Sequence, residues 1–294
     1  MDQHQNQEKQ NGITKEEHFD PNCLKLLIKL IDFLKVQGEK EIWQLFLMQE
    51  RLIFTASFLL EKGTKLEDIG FEFTDEVIQF VQKINLKIME TLGAMKYEDQ
   101  IHLLSRPIDM LLYKPVIKYI EPFSTVLELR ILCFNNLSCI YKQNNMLQDA
   151  IKAVDKAIEL ENILVAEGNL EAIKNSPSTF INKSVILSEI GQHLESIEAI
   201  KKALTAMENF QKNDKLVKDK EEAEQMKYLS VIAYFNLAVE HEHLFYTSYA
   251  KTFYETALNI SRELGYTEMN RTIETVLKKM NDKIKGNPHS KCLK

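Results

Sequence analysis

FNNLSCIYKQNNMLQDAIKAVDKAIELE, Phe134 to Glu161, is the stretch on which the fold turns. It opens on an aromatic, Phe134, followed by Leu137, the small Ser138 and Tyr141. Further on come Ala150, Val154 and Ala157, at helical spacing. The pattern recurs twice with the same internal offsets. Phe180 leads to Ser184, Leu187, Ser196, Ile200 and Ala203, and Tyr234 leads to Ala238, His241, Ala250, Tyr254 and Ala257. A weaker copy starts at Ile84, with Gln100, Leu104 and Pro107 at the later positions. Two antiparallel helices joined by a short turn explain the offsets. The first helix presents a small residue (Ser138, Ser184, Ala238) where the second crosses it with another (Ala150, Ser196, Ala250). Only small side chains let the two axes approach closely. Val154, Ile200 and Tyr254 fill the groove around the crossing, and Ala157, Ala203 and Ala257 leave room for the next pair. One pair cannot bury its apolar face alone, so the pairs stack.

This small, large and aromatic pattern resembles the tetratricopeptide repeat family. The resemblance covers roughly residues 131–265 and implies an all-α, right-handed helical-repeat solenoid of antiparallel helix pairs. The family period is about 34 residues. Here the distance is 46 residues from Phe134 to Phe180 and 54 from Phe180 to Tyr234. The second helices are therefore expected to be longer, or the connections inserted. Asn162, Glu208 and Arg262 stand where the family places a helix-ending proline.

The organisation of the chain is built on this frame. Residues 1–20 are polar and read as a disordered tail. Residues 21–125 read as divergent helical hairpins continuing the stack, 126–265 as three repeats, 266–286 as a capping helix and 287–294 as a flexible tail. Asp20-Pro21 can start a helix. A further helix is expected from about Glu41 to Lys62, ending at Gly63, with Thr74 capping the next. Pro107, Pro115, Pro122 and Pro177 read as punctuation. The charged run 213–227 reads as a solvated helix extension or a loop. From Thr267 to about Lys285, Met269, Ile273, Val276, Leu277, Met280 and Ile284 form one stripe.

The bulk numbers agree. At 294 residues, 45% hydrophobic and 27% charged, the chain can build a large core. Nine Gly and six Pro are too few for the tight turns of a sheet protein. A net charge of −6 without a basic stripe argues against nucleic acid and anionic membranes. The most apolar stretch is broken by Glu50-Arg51, so a buried helix explains it better than a membrane span. Cys23, Cys133, Cys139 and Cys292 form no CxxC and suggest a reducing compartment.

No nucleotide-binding, hydrolase-elbow or zinc-protease motif is present, and the expectation is a protein without catalytic activity, cofactor or metal. His241-Glu242-His243 is the one dense ligand cluster, but residues two apart on a helix do not share a face. A packed or surface histidine is the expected reading of His241. Glu159, Glu161, Glu195 and Glu198 read as solvated surface.

In the resembled family the first helices line a concave face that holds peptides or partner helices. Asn136, Asn182 and Asn236 recur there, and an amide can pair with a peptide backbone; the alternative is that they bond neighbouring helices or face water. Around them lie Ile181, Val185, Ile232, Phe235 and Val239, with Lys142 as the evident cation. Family members that bind acidic chaperone tails use a clamp of several cations, so this surface suits an amphipathic helix or hydrophobic segment better, the chain's own C-terminal helix included. The resulting expectation is a cytoplasmic protein–protein interaction scaffold. A preference for Lys over Arg, with abundant Ile, Asn and Gln, fits an AT-rich genome such as that of some ciliated protists. By association this suggests a structural subunit of a cytoskeletal or ciliary assembly, with tubulin or axonemal proteins as partners. The alternatives are a co-chaperone-type adaptor and an accessory subunit of a large complex, such as a mitochondrial one.

Overall fold

A computed structural model of the chain describes residues 40–65, 72–90, 96–212 and 220–286. The expected tails, the helix start at Asp20-Pro21, residues 213–219, Cys23 and Cys292 lie outside the described residues. The chain divides into two compact units, Met1–Leu47 and Met48–Lys294. In the first, the described residues are helical and open α1, Lys40–Glu61. The boundary falls inside the block read from sequence as 21–125. The second unit carries the rest of α1 and all the repeats.

The described residues are all-α, without a strand, and form a helical-repeat solenoid. After α1 come α2 (Glu72–Glu90), α3 (Tyr97–Met110) and the short α4 (Lys114–Lys118). Next are α5 (Phe123–Gln143), α6 (Leu147–Ala166), α7 (Leu170–Ile190), α8 (His193–Gln211), α9 (Lys220–His243), α10 (Thr247–Glu263) and α11 (Thr267–Gly286). The most intimate pairs are α5 with α6, α7 with α8, and α9 with α10. Each pair also packs on the next, and the first helices touch one another, α5 on α7 and α7 on α9.

Every small position of the repeat is sealed. Ser138, Ala150, Ala157, Ser196, Ala203, Ala238, Ala250 and Ala257 expose no surface, and Ser184 almost none. Val154, Ile200 and Tyr254 beside them are equally buried. At the second crossing the Ser196 hydroxyl donates to the Ser184 carbonyl at 2.9 Å, so the approach is close enough for one side chain to reach the facing backbone. Both helices of each pair run long, 21 and 20 residues in α5 and α6 and 21 and 19 in α7 and α8. The wider second spacing falls between α8 and α9, separated by residues 212–219 where only 167–169 separate α6 from α7, and in the longer start of α9. In the charged run, 220–227 is the extended start of α9, with Met226 pinned in the core.

The turns inside the pairs share one device. Asn145, Gly191 and Phe245 have φ of 59°, 85° and 63°, each four residues after Tyr141, Leu187 and His241. The next N–H then bonds back to the carbonyl of Tyr141, Leu187 or His241 at 2.8, 2.9 and 2.8 Å. That six-to-one bond closes the first helix and reverses the chain. Asn and Gly accept this backbone readily, whereas Phe245 adopts it against its own sterics.

Several local expectations are corrected. Pro107 and Pro177 lie inside α3 and α7 rather than at their ends; packing of the flanking turns outweighs one lost backbone bond each. Pro115 and Pro122 do mark helix starts. Thr74 does not cap α2, which begins at Glu72. Its hydroxyl instead reaches the Tyr119 carbonyl at 3.4 Å and accepts from the Glu121 N–H at 3.2 Å, tying α2 to the loop before α5. Asn169 caps α7, accepting from the Ala172 N–H at 3.0 Å. α5 is long and apolar enough to cross a membrane. It is also the first helix of the opening repeat, packed against α2, α3, α6 and α7.

Candidate partner-binding face

Polar bonds between successive first helices set the face. Asn136 donates to Asn85 Oδ1 on α2 at 2.8 Å, and Asn135 donates to Thr179 Oγ1 on α7 at 2.8 Å. Lys142 pairs with Glu189 at 3.2 Å, so the one cation expected to greet a ligand is engaged by the neighbouring repeat. Lys174 pairs with Glu222 at 2.6 Å between α7 and α9. Asn136 thus follows the structural alternative of bonding between helices. Asn236 is half-buried, and its amide nitrogen is sealed without an acceptor, out of reach of a surface ligand. Asn182 is half-exposed.

The apolar residues divide. Ile181 is 6% exposed and belongs to the core with Ile197, Ile200, Ala203 and Leu237. It therefore does not line an open face; its position points toward the next repeat, which covers it. Val185, Ile232, Phe235 and Val239 remain partly exposed. Phe235 stands edge-on to Tyr254 with ring centroids 5.3 Å apart, and the Tyr254 phenol donates to Glu242 at 3.3 Å. Burial pushes that phenol well above its ordinary pKa. Ile232 and Phe235 line a cleft of about 680 Å³ between α9 and the start of α11, with Tyr228, Tyr266 and Met269.

Two ionisable clusters are not apparent from the sequence. Glu161 is not surface: it is 2% exposed, accepts from Thr179 Oγ1 at 2.6 Å, and its second oxygen has no partner. Burial raises its carboxyl to about 7, against the smaller opposing effect of the Thr179 hydrogen bond. Its place in the repeat, four residues past Ala157 on the face toward α7, was the available signal. His193 meets the buried Glu240 at 2.8 Å and stacks on His243 at 4.5 Å, joining the second and third pairs. His241 bonds the Leu237 carbonyl through Nδ1 at 2.7 Å and packs among Tyr246, Tyr249 and Phe253. Among the described residues no group of three His, Cys, Asp or Glu side chains could hold a metal ion. Cys133 is buried, donated to by Asn85, and burial lifts its thiol to about 12.

The tetratricopeptide repeat model matches residues 133–163, the α5–α6 pair. The chain thus carries a tetratricopeptide repeat over these residues. Repeats of this kind support a protein–protein interaction scaffold, and they are typically non-catalytic modules. No curated protein matches the chain. Among solved structures, BtubC (BKLC) from P. vanneervenii is similar over 81% of this chain and 93% of its own, at 12% identity and a TM-score of 0.43. The DHF58 filament is similar over 83% and 94%, at 14% identity and a TM-score of 0.24.

Proposed function

We propose that the chain is a non-catalytic scaffold that holds a peptide or amphipathic helix of a partner protein on the face formed by α7 and α9. The observation that carries this reading is the half-exposed row Val185, Ile232, Phe235 and Val239, left open beside sealed repeat cores. Partly exposed apolar side chains on a rigid helical face are what an amphipathic helix buries on docking. With Lys142 engaged by Glu189, the face offers little to a terminal carboxylate, which disfavours the chaperone-tail alternative.

Within that reading the chain is a cytoplasmic structural subunit of a cytoskeletal or ciliary assembly, its partners tubulin or axonemal proteins. The test is affinity purification of the tagged protein from its own cells at low and high salt, with mass spectrometry. Cytoskeletal partners that survive high salt support the proposal, because apolar contacts are insensitive to screening. Chaperones lost at high salt would replace it with the adaptor reading, and stable co-migration with another large complex would replace it with the accessory-subunit reading.

A further inference from the structure

The third pair meets the helix after it differently from the way the earlier pairs meet one another. Equivalent positions of the repeat are Asn135, Ile181 and Phe235. The first bonds α7, the second is buried by the third pair, and the third faces no further pair among the described residues. Among the described residues the helix that follows is α11, and it packs chiefly on α10 rather than on α9, unlike α9, which packs on α7. The gap left between α9 and α11 is the cleft of about 680 Å³. That is room for a side chain and its neighbours rather than for a single water.

The chemistry of the lining selects the occupant. Three rings border it: Tyr228 (37% exposed), Tyr266 (40% exposed) and the half-buried Phe235. Tyr228 and Tyr266 meet edge to face at 5.2 Å. Ile232 and Met269 supply aliphatic surface. Glu268 is the only ionisable residue of the lining apart from the tyrosines, and no Lys, Arg or His is among the lining residues. The start of α11 also contributes about half a positive charge, which the full charge of Glu268 outweighs. Aromatic faces and one net negative charge attract a cation. A planar guanidinium satisfies both at once, stacking on a ring and forking to a carboxylate, which an ammonium does less well.

We infer that the α9–α11 cleft binds an arginine side chain presented by a partner segment between apolar neighbours. This rests on the reading of the chain as a partner-binding scaffold and names the end of the stack where recognition is specific. The probes are the peptides acetyl-Leu-Arg-Leu-amide and acetyl-Leu-citrulline-Leu-amide, the second neutral and nearly isosteric. They are titrated into the full chain to about 10 mM, a range that reaches even millimolar affinity. Binding is read from the Met269 methyl and tyrosine ring resonances.

The expected result is saturable shifts at these residues, with the arginine peptide bound at least about fivefold more tightly than citrulline. Glu268→Gln, an exposed change, abolishes most of that preference, and Tyr228→Leu weakens the arginine peptide about as much. Equal binding of both peptides overturns the arginine inference while leaving an apolar partner site in place. No saturable shift with either peptide overturns the cleft as a site. In that case the wider face is still judged separately, by capture of partners with Val185→Asp and Val239→Asp.

Discussion

Replacing Glu161 by Gln should make this protein more stable at pH 8 and leave it unchanged near pH 4.5. Glu161 is sealed between α6 and α7, with Thr179 donating to one oxygen and nothing to the other. Its carboxyl is raised from 4.5 to about 7 in the folded state by burial. The folded state therefore keeps the proton over a range in which the unfolded chain has released it. Between these two values unfolding releases a proton, so stability falls as pH rises from about 4.5 and levels off above about 7. The gap of about 2.5 pH units, at about 1.4 kcal/mol each, amounts to about 3 kcal/mol. Gln keeps the acceptor for Thr179 and carries no charge to bury. Urea unfolding of both forms, followed by helical circular dichroism at several pH values from 5 to 8, measures the difference. All other groups titrate alike in the two proteins, so the difference isolates Glu161. It should open between pH 5 and about 7 and then stay level to pH 8, in favour of Gln. Parallel stability curves across this range would refute the argument, since Glu161 would then be ionised and solvated in the folded state.

Other consequences arise from the same packing. His193→Ala should cost about 2 kcal/mol in denaturant unfolding, because Glu240 loses its hydrogen-bonded partner in a buried site, and adding Glu240→Gln should recover part of the loss. Phe245→Gly should raise stability by about 1 kcal/mol, seen as a higher thermal midpoint, since the ring is 90% exposed and the backbone is left-handed there. Ala203→Leu should cost about 1–3 kcal/mol through overpacking at a position with no free surface. Cys133 should resist alkylation in the folded protein at pH 8 and react on unfolding, as mapped by mass spectrometry, because its thiol is buried and held at about 12.

The helix pairs were legible because close approach leaves so few residue types usable. Ser138 with Ala150, Ser184 with Ser196 and Ala238 with Ala250 could be read without knowing the rest of the chain. The extra residues of the period were visible as a count, but not whether helices or connections held them; both do, since the helices of each pair run long and the α8–α9 connection is longer than the α6–α7 one. Proline misled at Pro107 and Pro177, where tertiary packing carries the helix through. Glu161 was misread because a carboxylate on a helix beside Lys156 and Glu159 carries the pattern of solvated surface. Only its register against α7 reveals the burial. The binding face was partly legible. The apolar run was found, but Ile181, one step around the helix, goes to the core because the next repeat covers it. Asn136 and Lys142 carried the right chemistry for a ligand and are spent on neighbouring helices instead. The cleft beside Phe235 depends on how far α11 stands from α9, and no residue spacing encodes that distance.

Hydrogen exchange of the chain alone and in complex with its purified partner tests the central claim most directly. The account predicts slowed exchange in the stretches of α7 around Val185 and of α9 from Ile232 to Val239, with α6 and α8 unchanged. Protection confined to α6 and α8, or absent from both α7 and α9, would place the partner elsewhere and contradict it.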